Sequence, residues 1–242
     1  MKRLLAGPRA IEEALNADAQ RVVVVYATPE RLRELEPHVR RTKVPCEPRS
    51  AEELDALARG LKHQGALAVT GEYPYADLDA LLDGLPSAPL LVALDQISDP
   101  HNFGAIVRSS VAFGAGGVIT LKDRAAPVTP VVVRASAGAT ERAQIARVTN
   151  LARTLGSLRE RGMQVVGLAA DGGETLDQLF YPSAGRVLVI GSEGDGLRRL
   201  TREHCDVLAR IEMPGGFESL NASVAASIAL YESARGRKHA GS

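Results

Sequence analysis

The sequence predicts an α/β protein, with a mostly parallel sheet covered on both faces and a smaller α/β unit ahead of it. Three observations carry that prediction. Short runs rich in Val, Ile and Leu recur along the chain, bounded by Gly, Pro or Asp, as strands buried on both faces require. Segments of helical period, several with cap residues, alternate with them. The apolar runs also open into polar, glycine-punctuated loops, the position at which open α/β sheets take ligands.

Residues 1–71 form the first expected unit. Gly7-Pro8 precedes a helix over 9–16 in which Ile11, Ala14 and Leu15 share a face. An apolar strand follows at 22–26, a charged helix at 29–39 and a second short strand at 44–46. Ser50, with Glu53 three residues on, signs the capping box of a helix ending at Ala58. A third strand occupies 66–70, and the lone His63 of Lys62-His63-Gln64-Gly65 reads as structural. Residues 72–89, with Pro74, Pro86 and Pro89, read as a semi-rigid connector around a brief helix bearing Leu78, Leu81 and Leu82.

The second unit is expected over 90–238. Residues 90–94 are a buried strand, Asp95 to Asn102 a polar elbow, and 103–113 a short amphipathic helix stopped by Gly114. Asp95, Asp99, His101, Asn102 and Arg108 gather there; by itself Asn102 reads as the N-cap, Asp99 as a turn residue and Arg108 as a solvated side chain. Strands are predicted at 117–121, 143–148, 164–169, 186–190 and 207–211. Helices are predicted at 129–137, at 150–161 with Asn150 as cap, and from Ser219 to about Arg235, before a loose tail at 238–242.

Composition narrows the classes. A chain of 242 residues with 45% hydrophobic and 24% charged residues builds a real core. Its net charge of +0 argues mildly against a wholly basic nucleic-acid binder, and the absence of Trp against a platform that stacks single strands. Cys46 and Cys205 make neither a disulfide framework nor a metal pair, and no metal site is expected. No apolar run reaches membrane-spanning length and the first residues turn acidic too soon for a signal peptide, so a cytoplasmic protein with no membrane partner is expected.

Three loops hold the candidate chemistry. Ile190 to Gly196 is glycine-rich but lacks the Gly-Lys-Ser/Thr of a phosphate loop, and its glycines are wrongly spaced and too late for a dinucleotide fold. Glu193 on it could orient a cation. Gly215-Gly216 leads into Glu218 to Ala225, where Ser219 or Asn221 can cap the last helix, whose small residues suit close approach of another helix.

With Asp95, Asp99-Pro100, Asn102, Gly104-Ala105 and Arg108, then Ile190 to Leu197, then Ile211, Met213-Pro214 and Ser219 to Ala225, the chain resembles the SpoU (TrmH-like) RNA 2′-O-ribose methyltransferases of the SPOUT superfamily. The two-part layout is similar to that of bacterial 23S rRNA (guanosine-2′-O-)-methyltransferases, whose first domain is a ribosomal-protein-like RNA-binding module. The resemblance implies a trefoil-knotted sheet, a homodimer, S-adenosyl-L-methionine as cofactor and structured RNA, 23S rRNA first, as substrate. It implies a catalytic set of Asn102, Arg108, Glu193, Ser219 and Asn221. It places the cofactor against Leu168, Ala169, Ala170, Gly191, Gly196, Ile211, Met213 and Leu220. Ala222 departs from the Val frequent in relatives, a packing change. A tRNA guanosine-2′-O-methyltransferase or one acting at another rRNA site, an inactive RNA-binding assembly factor and a dehydrogenase are the competing readings.

Overall fold

The computed structural model describes residues 3–240. They divide into two compact units, one of residues up to Pro74 with Val128–Arg142, the other of Tyr75–Pro127 with the chain from Ala143 on.

In the first unit, β1 (Arg3–Ala6), β2 (Val22–Ala27), β3 (Cys46–Pro48) and β4 (Ala66–Thr70) make a sheet in the order β1-β4-β2-β3. β4 runs antiparallel to β1 and β2, and β3 parallel to β2. The helices are α1 (Pro8–Asp18), α2 (Pro29–Thr42) and α3 (Ala51–Ala58). The capping box is present, with Ser50 Oγ accepting from Glu53 N at 3.2 Å and Glu53 Oε2 accepting from Ser50 N at 2.8 Å. Leu5, Ile11, Leu35, Leu54 and Leu67 close the core.

Sequence pattern misses β1, whose four residues are too few to show alternation and gain their partner only from β4. The second strand lies two residues later than expected, at Cys46–Pro48. His63 is structural, as read: its Nδ1 accepts from Gly65 N at 3.0 Å, which leaves Nε2 to donate to Asp55 Oδ1 at 2.9 Å. A segment remote in sequence completes this unit: α6 (Pro130–Ala135) and a turn of 3₁₀ helix that carries Glu141, whose buried carboxylate pairs with Arg3 at 2.8 Å.

The second unit is built on β5 (Leu90–Asp95), β6 (Gly117–Leu121), β7 (Ile145–Val148), β8 (Gln164–Leu168), β9 (Glu174–Thr175), β10 (Arg186–Gly191) and β11 (Val207–Arg210). All pairings are parallel, in the order β7-β6-β5-β10-β8-β11-β9. The helices are α4 (Leu78–Asp83), α5 (Pro100–Ala112), α7 (Leu151–Glu160), α8 (Arg199–Glu203) and α9 (Ala222–Ala240). Every residue of β5 is buried, which is why its sequence is apolar without alternation.

Several expectations are corrected. Asp99, not Asn102, caps α5: its carboxylate accepts from His101 N at 2.9 Å, and Pro100 takes the first helical position, where no N–H is needed. α9 starts at Ala222, later than Ser219, and continues through the first residues of the expected tail to Ala240; 241–242 lie outside the described residues. Residues 72–89 are more than a connector: Ala76 N donates to Ile145 O at 2.8 Å, Leu81 is buried, and Leu78, Leu82 and Leu85 pack on the same core.

Arg186, at the start of β10, is 2% exposed. Its Nε donates to Gln164 Oε1 at 2.9 Å, and its two terminal nitrogens to Phe180 O at 2.6 Å and to Ser233 Oγ of α9 at 3.4 Å. Burial among these neutral partners pushes the guanidinium pKa down. Arg186→Ala would strand buried acceptors, so it is expected to lower stability by about 2–4 kcal/mol; the shift of the urea unfolding midpoint measures it.

Candidate active site

Three parallel strands end together. The register sets Gly191 opposite Asp95 and Val189 opposite Gly167, so the loops that follow β5, β8 and β10 leave the sheet on one side. A cavity of about 610 Å³ opens there. Leu168, Ala169 and Ala170 line it after β8, Gly191 and Gly196 after β10, and Ile211, Met213 and Leu220 between β11 and α9. Each residue that the resemblance assigned to the cofactor thus borders one space.

The loop after β10 supplies much of the lining. A Cβ at Gly191 would lie 2.2 Å from the Gly196 carbonyl carbon, so only glycine lets the two arms of this loop touch. They are joined by two backbone hydrogen bonds, Ser192 N to Gly196 O at 3.2 Å and the reverse at 3.1 Å. Below, a Cβ at Gly167 would come within 2.7 Å of Leu197 and 2.8 Å of Cys205 Sγ. Burial, with Asp206 beside it, pushes the Cys205 thiol up to about 12.

At the edge of the cavity three side chains from distant segments meet. Asn102 of α5, 7% exposed, donates through Nδ2 to Glu193 Oε1 at 2.9 Å. Asn221 Nδ2 donates to Asn102 Oδ1 at 3.0 Å and also to Glu193 Oε1. Asn221 Oδ1 in turn accepts from Ser223 N at 2.9 Å and Val224 N at 3.3 Å, capping α9. Glu193 Oε2 has no partner among the described residues. Ser219 lines the same cavity.

Arg108 is not brought in. It lies six residues, about 240° of rotation, beyond Asn102 on α5. It is exposed, without hydrogen-bond or ion-pair partner among the described residues, and does not border the cavity. The next residue, Ser109, bonds Ser227 of α9 at 2.7 Å.

Polar lining residues outside the three motifs are Asp171 and Arg202. Asp171 and Arg202 form a two-point pair at 3.1 and 2.8 Å, and that hydrogen bonding holds the Asp171 carboxyl below its usual range. Gly172 was the signal for this loop: a Cβ there would meet the Leu208 carbonyl oxygen at 2.7 Å. Arg202 had none, since α8 is too short to show a period.

A model of the SpoU rRNA Methylase family matches residues 89–231, more than half of the chain. The chain belongs to the SpoU family. The family's RNA 2′-O ribose methyltransferase substrate-binding model matches residues 4–76. An uncharacterized tRNA/rRNA methyltransferase of Mycobacterium sp. strain KMS is 53% identical over 196 residues, 79% of this chain and 61% of that protein. This SpoU chain therefore spans less than two thirds of the mycobacterial relative's length. The 23S rRNA (guanosine-2′-O-)-methyltransferase RlmB of Bordetella pertussis is 45% identical over 192 residues, 79% of this chain and 78% of the relative. Among solved structures, the SpoU methyltransferase AviRb from Streptomyces viridochromogenes, in complex with AdoMet, superposes with a TM-score of 0.81 at 28% identity, covering 98% of this chain and 91% of that one. The family expected from the three motifs is the one found.

The Gly191–Gly196 contact gives a direct test. Gly191→Ala forces the loop arms apart and is expected to cost about 1–3 kcal/mol in thermal unfolding, with no change in far-UV circular dichroism before the transition.

Proposed function

We propose that the chain is an S-adenosyl-L-methionine-dependent RNA 2′-O-ribose methyltransferase that modifies a guanosine of 23S rRNA. The observation that carries this is the Asn102–Glu193–Asn221 cluster at the rim of the cavity. The relative in Bordetella pertussis supports the substrate class.

The cavity suits the cofactor. Its lining, rich in glycine and alanine, leaves room for a flat adenosine. Glu193 and Asp195 place carboxylates on the lining that complement a sulfonium. S-adenosyl-L-methionine, when bound, supplies a methyl group already activated for transfer.

The chain then has to position and activate a sugar hydroxyl. Two amide donors hold Glu193 Oε1, which leaves Oε2 to accept from the ribose. Ser219 and Asn221 border the same space and orient the nucleotide. Arg108 is exposed and does not border its own chain's cavity, so its proposed grip on the adjacent phosphate, where its planar fork would stabilise the oxyanion as the hydroxyl proton passes to a phosphate oxygen, is assigned to the cavity of a second copy in the proposed homodimer. A guanidinium is too weak an acid to serve readily as the base.

Residues 1–71 are proposed to bind RNA by backbone and shape contacts and 90–238, apart from the 128–142 segment that completes the first unit, to carry catalysis, with 72–89 joining them while packing on the second unit's core. The polypeptide is taken to thread through itself as a trefoil knot near the cofactor loops. A homodimer is proposed, supported by Val224 and Tyr231, exposed seven residues apart on one face of α9. The expected setting is the cytoplasm.

Mapping 2′-O-methyl marks in total RNA from a deletion strain and its parent tests the substrate: one guanosine mark in 23S rRNA should vanish and return on complementation, while loss in tRNA would replace this reading. Arg108→Lys keeps the charge and loses the fork. It should lower kcat by about 10–100-fold, with cofactor affinity unchanged; a wild-type rate of labelled methyl transfer would exclude the two-point grip.

A further inference from the structure

The proposed cofactor loop has an anchor outside the cavity. Residues 191–197 leave β10 and reach α8 through Gly191, Gly194 and Gly196, the last two with φ of +85° and +63°. Three glycines in so short a loop give it little stiffness of its own. Yet it carries Glu193, whose position the Asn102 and Asn221 amides read to within a hydrogen bond.

Asp95 addresses both ends of that loop. It closes β5 and is 0% exposed. Its backbone stands in register with Gly191, where the loop begins. Its side chain reaches Arg198, where the loop ends: Oδ2 accepts from Arg198 N at 3.0 Å and Oδ1 from Arg198 Nε at 2.7 Å. Both carboxylate oxygens are thus spent on one residue 103 positions away. An Asn in this place could satisfy the backbone N–H but would turn an N–H donor toward Nε. A buried charge met by two charge-assisted or backbone donors is also costly to move, which makes the anchor stiff.

We infer that Asp95 is a positioning residue for the active site, acting through Arg198 to hold the Gly191–Leu197 loop, and Glu193 with it, in the shape that receives the cofactor. The inference rests on the methyltransferase reading for its functional half, and on the two hydrogen bonds for its structural half. Asp95 does not itself line the cavity. Its effect is therefore indirect, through loop geometry.

The experiment compares wild type, Asp95→Asn and Arg198→Ala. Arg198 is 41% exposed at its side chain, so its truncation keeps the backbone bond to Asp95 and spares the core. Hydrogen exchange in the cofactor-free protein should show the amides of residues 192–198 exchanging about tenfold faster in Asp95→Asn and less so in Arg198→Ala, with β8 and β10 unchanged. Calorimetry should show S-adenosyl-L-methionine binding about tenfold weaker in Asp95→Asn, and kcat should fall further than KM for RNA rises. Exchange at the wild-type rate throughout 192–198, or a uniform rise that includes the strands, would overturn the anchor while leaving the methyltransferase reading intact. Should wild type itself fail to bind the cofactor, the reading and the positioning role would fall together, even with a loosened loop.

Discussion

The parallel register between β5 and β10 is the constraint on which the site depends. Leu94 stands opposite Ile190 and Asp95 opposite Gly191, and β8 joins the other side of β10 with Gly167 opposite Val189. Leu90, Leu91 and Leu94 are fully buried, each stabilising the packed sheet by about 1.5–3 kcal/mol relative to exposure. Moving the pairing by one residue would exchange the faces of all these side chains. The core therefore fixes where the strands stop, and the stopping points fix which loops face one another.

That dependence explains how segments near residues 102, 193 and 221 meet. Asn102 is carried by α5 immediately after β5, Glu193 by the loop after β10, and Asn221 caps α9, which packs beside α5 through the Ser109–Ser227 hydrogen bond. Asn102 and Asn221 are held on or beside helices, and their amides fix the longer Glu193 side chain. Asn102 and Asn221 each use an amide with both donor and acceptor capacity, so the cluster orders itself: Asn221 donates to Asn102, and both donate to the carboxylate.

The strands at 66–70 and 117–121 were legible to the residue, because apolar runs met Gly or a polar residue at each end. Boundaries slipped where a sequence offered two adequate caps. Asp99 and Asn102 compete for α5, and Pro100 decides between them; Ser219 and Asn221 compete for α9, and the hydrogen bonds of Asn221 Oδ1 decide. The short elements β1, β9 and α8 were not legible, since two to five residues hold no period and owe their form to neighbours distant in the chain. In the site, the cavity-lining residues followed from the motifs, whereas the Asp171–Arg202 pair had no motif to announce it. Spacing put Arg108 in the same motif as Asn102, yet helical rotation turns them to different directions, which a linear pattern does not display.

The floor under the cavity has a chemical consequence. A sulfonium is a methylating agent toward any strong nucleophile within reach, and a thiolate is the best one that a protein can offer. Cys205 lies beneath the floor with its sulfur against the Gly167 position, donating to Thr201 O at 3.3 Å. With its thiol held near 12, almost none of it is ionised at neutral pH. Cys205 stands behind the lining rather than in it, and its sulfur is too inert to consume the donor in self-alkylation.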